Sequence, residues 1–231
     1  MPAQTIVFSD VERSLRNDRH DSFVRECVRR VFPQFNDIAE ESSAIFKGLF
    51  ERNRSELKEV TEQELFKVCL LVGSENYRIL ADVRDSVYMG VLAGTYHQWE
   101  KEIKDFLCVE LRAFKKNSWI NNKIIRADFD NLVSLMERFG WNLSSEPFFA
   151  KLKSLHLVVN VYKHGNGRSV TELAKHAPQY LIDPCPISPA TSVSSTPDHT
   201  WLAVDESMFH ELSGTVKAFW LEMPEFLCVP D

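Results

Sequence analysis

Three polar side chains able to move a proton or bind an anion recur every four residues in the second half of the chain, at His156, Asn160 and His164. Residues four apart are neighbours on one face of a helix, so the three form one polar row, which we call the His156 row. An imidazole exchanges a proton near neutral pH, and an amide hydrogen-bonds to anionic oxygens. The row flanks the apolar positions Leu155 and Val159, which would hold it at the edge of a helical bundle.

A second polar row, which we call the Glu100 row, is predicted on an earlier helix and consists of Ala93, His97, Glu100 and Lys104. If the two rows meet, Glu100 could orient an imidazole and His164 could transfer a proton. Asn160 or Lys163 could bind an anionic group. Such a set suits metal-independent phosphodiester cleavage, in which an internal hydroxyl attacks and charge builds on the phosphoryl oxygens. The alternative is that these side chains only hydrogen-bond to one another between packed helices.

Other catalytic sites find little support in the sequence. A zinc site on His156 and His164 is disfavoured, because two helical turns place these residues about 12 Å apart along the backbone. There is no P-loop and no dinucleotide-binding glycine pattern, so we expect no cofactor. The hydroxyl-rich segment 188–196 lacks the glycine pattern around a serine-hydrolase nucleophile.

Two predicted helices carry the polar rows. The first, from about 82 to 114, is marked by the recurring apolar residues Leu92, Tyr96, Trp99, Ile103, Phe106 or Leu107, and Phe114. Gly90 and Gly94 lie inside it and indicate either close packing of a neighbour or a later helix start. The second carries the apolar stripe Phe148, Leu152, Leu155, Val159 and Tyr162. It is predicted to begin after a cap at Ser144 or Ser145 and to end at Lys163, before Gly165.

The remaining pattern is also helical, which favours an all-α helical bundle in a single domain, 1–231. Short apolar stripes before and after Pro33 predict two helices, and the capping box Thr61–Glu64 predicts the start of a third. A helix is expected over 128–139, ended by Gly140, and a short one is expected from the capping box Ser169–Glu172 to Pro178. The proline-rich segment 178–200 is predicted to be a loop and 201–204 a short strand. A final helix capped by Asp205 is predicted over 205–222.

Composition places the chain among ordinary globular proteins, with 231 residues, 44% hydrophobic and 26% charged. Met1 to Arg19 is polar, and no apolar run is long enough to span a membrane, so we expect a cytoplasmic protein without membrane contact. Five scattered cysteines predict reduced thiols, three of them (Cys27, Cys69 and Cys108) buried. A net charge of −6 argues against a broad nucleic-acid surface, although a local basic patch is present at Arg112, Lys115, Lys116, Lys123 and Arg126.

The segment from Leu155 to Gly167, LHLVVNVYKHGNG, together with YHQWE at Tyr96 to Glu100, resembles the HEPN superfamily of helical bundles. The resemblance covers about 75–176. It implies a four-helix up-and-down core, often dimeric, in proteins of toxin, RNA-cleavage and phage-defence systems. Active members carry an R-x4-6-H motif on one helix for metal-independent RNA cleavage, and His164 matches the motif histidine.

No arginine lies four to six residues before His164, and Asn160 stands one turn earlier. The positive charge would therefore come from Lys163, from Arg168 or from a partner subunit. The resemblance predicts a ribonuclease or toxin-type effector acting on RNA, with His164, Asn160, Glu100 and His97 as catalytic residues and Lys163, Tyr162, Arg168 and His156 as substrate-binding residues. The alternative is a non-catalytic module that uses the same helices to form a homodimer or bind a protein partner.

Overall fold

The computed structural model describes residues 4–54, 61–114, 118–182, 197 and 199–229, and within them the chain is all-α apart from one two-stranded sheet. The helices are α1 (Asp10–Arg30), α2 (Ile38–Arg54), α3 (Glu62–Phe114), α4 (Ser118–Ile125), α5 (Phe129–Arg138), α6 (Phe149–His164), α7 (Arg168–His176) and α8 (Glu206–Glu222). The strands are β1 (Gln4–Val7) and β2 (Phe226–Val229). The chain divides into two compact units, Arg25–Tyr88 and Met1–Val24 with Met89–Asp231.

The unit Arg25–Tyr88 is built on the packing of α2 against the first half of α3. The Phe66 ring packs edge-to-face against the stacked rings of Phe46 and Phe50, and the three centroids are 5.3–6.1 Å apart. The Ser42 hydroxyl donates to Asn76 Oδ1 at 3.0 Å. A Cβ at Gly73 would lie 3.0 Å from the Cβ of Phe46, so the missing side chain lets the two helices approach closely.

The other unit contains the larger aromatic core, and in it the apolar stripes of α3 and α8 were predicted correctly. All the predicted core residues of α3 from Leu92 to Leu107 are buried. The same holds for the α8 residues Phe209, Leu212, Val216, Phe219 and Trp220. The Phe219 ring lies at the centre, 5.1 Å from Trp99 and 5.0 Å from Trp141. These contacts fix α3 and α8 in one core.

Helix α3 is longer than the sequence pattern predicted. The capping box is confirmed, because the Thr61 amide donates to Glu64 and the Glu64 amide to the Thr61 hydroxyl. The expected break between this helix and the one from about 82 is absent, and a single helix runs on to Phe114. Gly90 and Gly94 therefore lie inside a continuous helix and mark no later start. A Cβ at Gly94 would meet no atom within 4 Å, so close packing does not explain this glycine.

The start of α6 was predicted wrongly and its end correctly. Leu143–Ser145 forms a short 3-10 turn, and α6 begins only at Phe149, without a side-chain cap. The helix ends at His164, where Gly165 has a φ of +67°. Tyr162, predicted to lie in the core, is exposed. The buried face instead includes Val158 and Val161.

Two further local predictions need correction. Helix α7 begins at Arg168 after Gly167, with no side-chain cap, so Ser169 does not open it. The expected strand at 201–204 is only a single bridge between Leu181 and Leu202. The cap at Asp205 is confirmed, since its carboxylate accepts from the Met208 amide at 2.7 Å.

The sheet joins the two ends of the described chain. β1 and β2 pair antiparallel, with Gln4 opposite Val229 and Val7 opposite Phe226. Ile6 and Leu227 are fully buried, so one face of this ribbon belongs to the core. The Cys228 amide also donates to the Phe139 carbonyl at 2.8 Å, which ties β2 to the end of α5.

The predicted burial of Cys27, Cys69 and Cys108 is confirmed. None of the described cysteines forms a disulfide, and Cys228 is the exposed one among them. Cys185 lies outside the described residues, as do Lys115 and Lys116 of the basic patch and 183–196 of the loop. In the part of the chain that the structure describes, no helix has the length and apolar character to cross a membrane.

Candidate functional site

His156 is the point at which the helix of the His156 row meets the helix of the Glu100 row. Its ring stacks on Phe129 at the start of α5, with centroids 4.4 Å apart and planes 15° apart. Both ring nitrogens have partners: Nδ1 lies 2.8 Å from the Tyr96 hydroxyl and Nε2 lies 3.0 Å from the Asn160 amide nitrogen. Because an amide nitrogen only donates, Nε2 accepts and the Nδ1 proton points to Tyr96.

This arrangement requires a neutral imidazole, since a protonated Nε2 would face the Asn160 amide hydrogens. Burial lowers the pKa of His156, consistent with the neutral form. Burial likewise raises the pKa of Tyr96 far above its ordinary value, so the phenol stays protonated. The trio Tyr96–His156–Asn160 is thus a neutral hydrogen-bonded chain at physiological pH.

Four carboxylates lie around this hydrogen-bonded trio, and none of them forms a described hydrogen bond with it. Their charges raise the pKa of His156 against the larger effect of burial, in the order Asp130, Glu100, Asp128 and Glu172. Asp128 is held in place by its role as the cap of α5, where it accepts from the Asn131 amide at 2.8 Å. A negative surrounding of this kind opposes the approach of a phosphodiester.

Glu100 and His97 lie together one turn apart on α3. The Glu100 carboxylate accepts from the Lys104 ammonium at 2.8 Å. His97 Nδ1 lies 3.6 Å from the same carboxylate, beyond hydrogen-bonding distance. Glu100 therefore orients Lys104 more firmly than it orients an imidazole.

The C-terminal end of α6 is open to solvent. Tyr162, Lys163 and His164 are all exposed there, and none of the described residues hydrogen-bonds to the His164 imidazole. Arg168, the first residue of α7, pairs with Glu172 one turn along the same helix. A neutralised Arg168 supplies little free positive charge to His164.

The sequence did not predict that His199 would lie at this end of α6. Asn166 Oδ1 accepts from the His199 amide at 2.8 Å and lies 3.0 Å from its Nδ1. These residues are 33 positions apart, and the proline-rich segment lies between them. No spacing rule connects them, so only the fold could reveal the contact.

The structure thus brings some predicted site residues together and keeps others apart. His156 and Asn160 are joined directly, and Glu100 lies with His97. His164 is hydrogen-bonded to neither pair. Tyr96, the missed partner of His156, was predicted as a plain core residue, although a buried tyrosine hydroxyl needs a polar partner and so carried a signal. The catalytic and substrate-binding roles of these residues stay predictions.

Among the described residues, no three His, Cys, Asp or Glu side chains are placed to hold a metal ion. Comparison of the chain with protein families, with curated proteins and with solved structures found no match.

Proposed function

We propose that this chain is a HEPN-like helical module whose function is to self-associate, with α3 of the unit Arg25–Tyr88 as the contact surface. The observation that carries this proposal is an apolar stripe on α3 made of Val68, Val72, Ile79 and Val83, each between 43% and 58% exposed. With 100° per residue, the four fall within about 60° around the helix and extend along about 22 Å. Exposed apolar stripes of this kind mark interaction sites.

The order of the stripe favours a second copy of the chain as the partner. The intervals from Val68 to Val83 are four, seven and four residues, so the spacing of the stripe is the same in both directions. Two copies packed antiparallel about a twofold axis would place Val68 against Val83 and Val72 against Ile79. A twofold interface requires such reciprocal pairs, because each surface must complement itself.

Sedimentation equilibrium over a range of protein concentrations tests this proposal. We expect wild type to form a concentration-dependent dimer and Ile79→Glu to remain monomeric, because two buried charges would face the stripe of the partner. Leu70→Glu is the matched control. Leu70 is as exposed as Ile79, at 48% against 49%, but nine residues away and so on the opposite side of the helix. A monomeric wild type, or equal dissociation by both variants, would overturn the proposal.

A second candidate function is metal-independent RNA cleavage in a cytoplasmic prokaryotic defence or toxin system. One observation favours it: the exposed His164 imidazole, beside Lys163, has no described partner and is free to exchange protons with a bound substrate. The carboxylates around His156 and the pairing of Arg168 weigh against it. We therefore rank it below self-association.

Incubation of mixed RNA with the purified protein and a chelator tests this second function. RNA cleavage by wild type should be lost in His164→Ala and kept in His176→Ala, which removes another exposed histidine whose Nε2 bonds to the Ala150 carbonyl. Equal cleavage by wild type and His164→Ala would exclude the proposed role of His164. Absence of cleavage by wild type would exclude the function.

A further inference from the structure

A second polar cluster, which includes no residue of the His156 row, lies in the unit Met1–Val24 with Met89–Asp231. A cavity of about 420 Å³ lies between α1, α3 and α8. This volume is within the range of small-molecule sites. Its walls are largely apolar, with Phe23, Trp99, Val216 and Trp220. Its polar lining includes Arg16, Arg19 and Glu102.

The charges in this cavity do not balance. The buried Glu102 carboxylate accepts from Arg19 at 2.7 Å and from Gln98 at 2.6 Å, both on the same oxygen. Arg16 lies 3.6 Å from the other oxygen, beyond hydrogen-bonding distance. Two guanidinium groups thus share one carboxylate. Burial lowers the pKa of the neighbouring His20, so the surplus of one positive charge belongs to the arginines.

Arg16 is the arginine that pairs with Glu102 by charge alone, without a hydrogen bond. Its guanidinium lies over the Trp220 ring at 4.7 Å and is only 17% exposed. It donates no hydrogen bond to any described residue, and its Nε is a buried donor with no acceptor. The Trp99 indole N–H, on the same cavity wall, is a second buried donor without an acceptor. Buried donors of this kind are rare in native proteins and call for an acceptor.

Gly94 contributes to the volume of the cavity. It lines the cavity in the middle of α3, where a glycine costs about 1 kcal/mol against alanine. A Cβ there would meet no atom within 4 Å, so packing of the protein itself does not require a glycine. The glycine keeps open a volume that a side chain would enter.

From these observations we propose that this cavity binds a small hydrophobic carboxylate, with an apolar body of one or two rings against the Trp99 and Phe23 walls and its carboxylate on Arg16. A planar guanidinium pairs with a carboxylate through two parallel hydrogen bonds. A single negative charge matches the surplus of one, and the nearby Glu102 repels a dianion. The ligand supplies the hydrogen bonds to Arg16 that the more distant Glu102 does not make.

Equilibrium dialysis against 2-naphthoate and indole-3-acetate tests this site, with the uncharged amides of the two acids as controls. We expect wild type to bind at least one acid about tenfold more tightly than its amide, because only the acid can pair with Arg16. Arg16→Gln should weaken the acid by about the same factor and leave the amide unchanged. Arg138→Gln, which removes an exposed arginine of α5, should bind like wild type.

A variant that blocks the space without touching the charges completes the experiment. Gly94→Leu should fold at least as stably as wild type, since it improves the helix, and should bind neither acid. Gly214→Leu in α8 is the matched control, because a Cβ there also meets no atom within 4 Å and Gly214 is not part of the cavity. Failure of wild type to bind either acid, equal binding of acid and amide, or retained binding by Gly94→Leu would overturn the proposal.

Discussion

The Tyr96 hydroxyl and His156 Nδ1, 2.8 Å apart, link the centre of α3 to the centre of α6. Tyr96 is 3% exposed and His156 is mostly buried, so this link lies within the bundle and not on its surface. The histidine that the sequence offered as a substrate contact is therefore already occupied on both nitrogens. Its measurable effect is expected on stability.

Tyr96→Phe should destabilise the protein by about 1–2 kcal/mol, because it removes the acceptor of the His156 Nδ1 proton and leaves that donor unpaired. Urea unfolding followed by far-UV circular dichroism measures the change. Tyr162→Phe, which removes the hydroxyl of an exposed tyrosine on α6, should shift the midpoint little. Equal effects of the two variants would mean that the hydrogen bond to His156 does not stabilise the fold.

Stability should fall as the pH drops from 7 through 6.5, the ordinary pKa of histidine. Because burial lowers the pKa of His156 in the folded state, the unfolded chain binds more protons in this range, and the free energy of unfolding decreases as protons are added. His156→Gln should therefore show a shallower dependence on pH between 7 and 5 in urea unfolding. His20, whose pKa burial also lowers, contributes a slope of the same sign. The double variant should be flatter still, whereas an unchanged slope in His156→Gln would contradict the assignment.

Gly73→Ala should destabilise the unit Arg25–Tyr88 by about 1–2 kcal/mol, although alanine favours a helix. The new Cβ would lie 3.0 Å from the Phe46 Cβ and 3.2 Å from the Ser42 carbonyl oxygen, neither of which can move without shifting α2. Gly48→Ala, on the same pair of helices but with nothing within 4 Å, should instead stabilise by about 0.5–1 kcal/mol. Hydrogen exchange of α2 amides distinguishes the two, and a stabilising Gly73→Ala would show that the helices can separate at no cost.

Glu102→Gln should cost about 3 kcal/mol or more, because it leaves the partly buried Arg16 and its neighbour Arg19 without a counter-charge. Glu172→Gln breaks the exposed pair with Arg168, where the expected loss is below about 1 kcal/mol. Thermal unfolding of both variants gives the comparison. Similar losses from the two would indicate that solvent reaches Glu102 as freely as Glu172.

The sequence correctly predicted structural features that arise from residues close together along the chain. The α3 stripe from Leu92 to Leu107 follows from helix periodicity. The Thr61 capping box follows from hydrogen bonds between residues three apart. Gly165 ends α6 because it can adopt a positive φ, which is also a local property. Each needed no knowledge of the fold.

What the sequence did not predict depends on residues that meet only after folding. The predicted α6 cap at Ser144 failed because that hydroxyl donates to Glu137 in the preceding helix. The contact of His199 with Asn166 has no local signature. The sequence also did not predict the cavity lined by Arg16, because its lining residues come from three helices far apart in the chain. The four-residue spacing correctly predicted that His156 and Asn160 are neighbours on α6. The spacing alone could not show that Tyr96 hydrogen-bonds to the His156 imidazole.

The pairing of β1 with β2 sets an order for the synthesis of this protein. Gln4 leaves the ribosome well before its partner Val229, which lies 225 residues further along the chain. Until β2 is made, Ile6, which is fully buried in the folded protein, cannot pack against Leu227. The amides of β1 also have no strand with which to form hydrogen bonds. A nascent chain therefore carries an open strand edge while all the residues between β1 and β2 are being made, and the core of this unit is complete only when translation reaches β2.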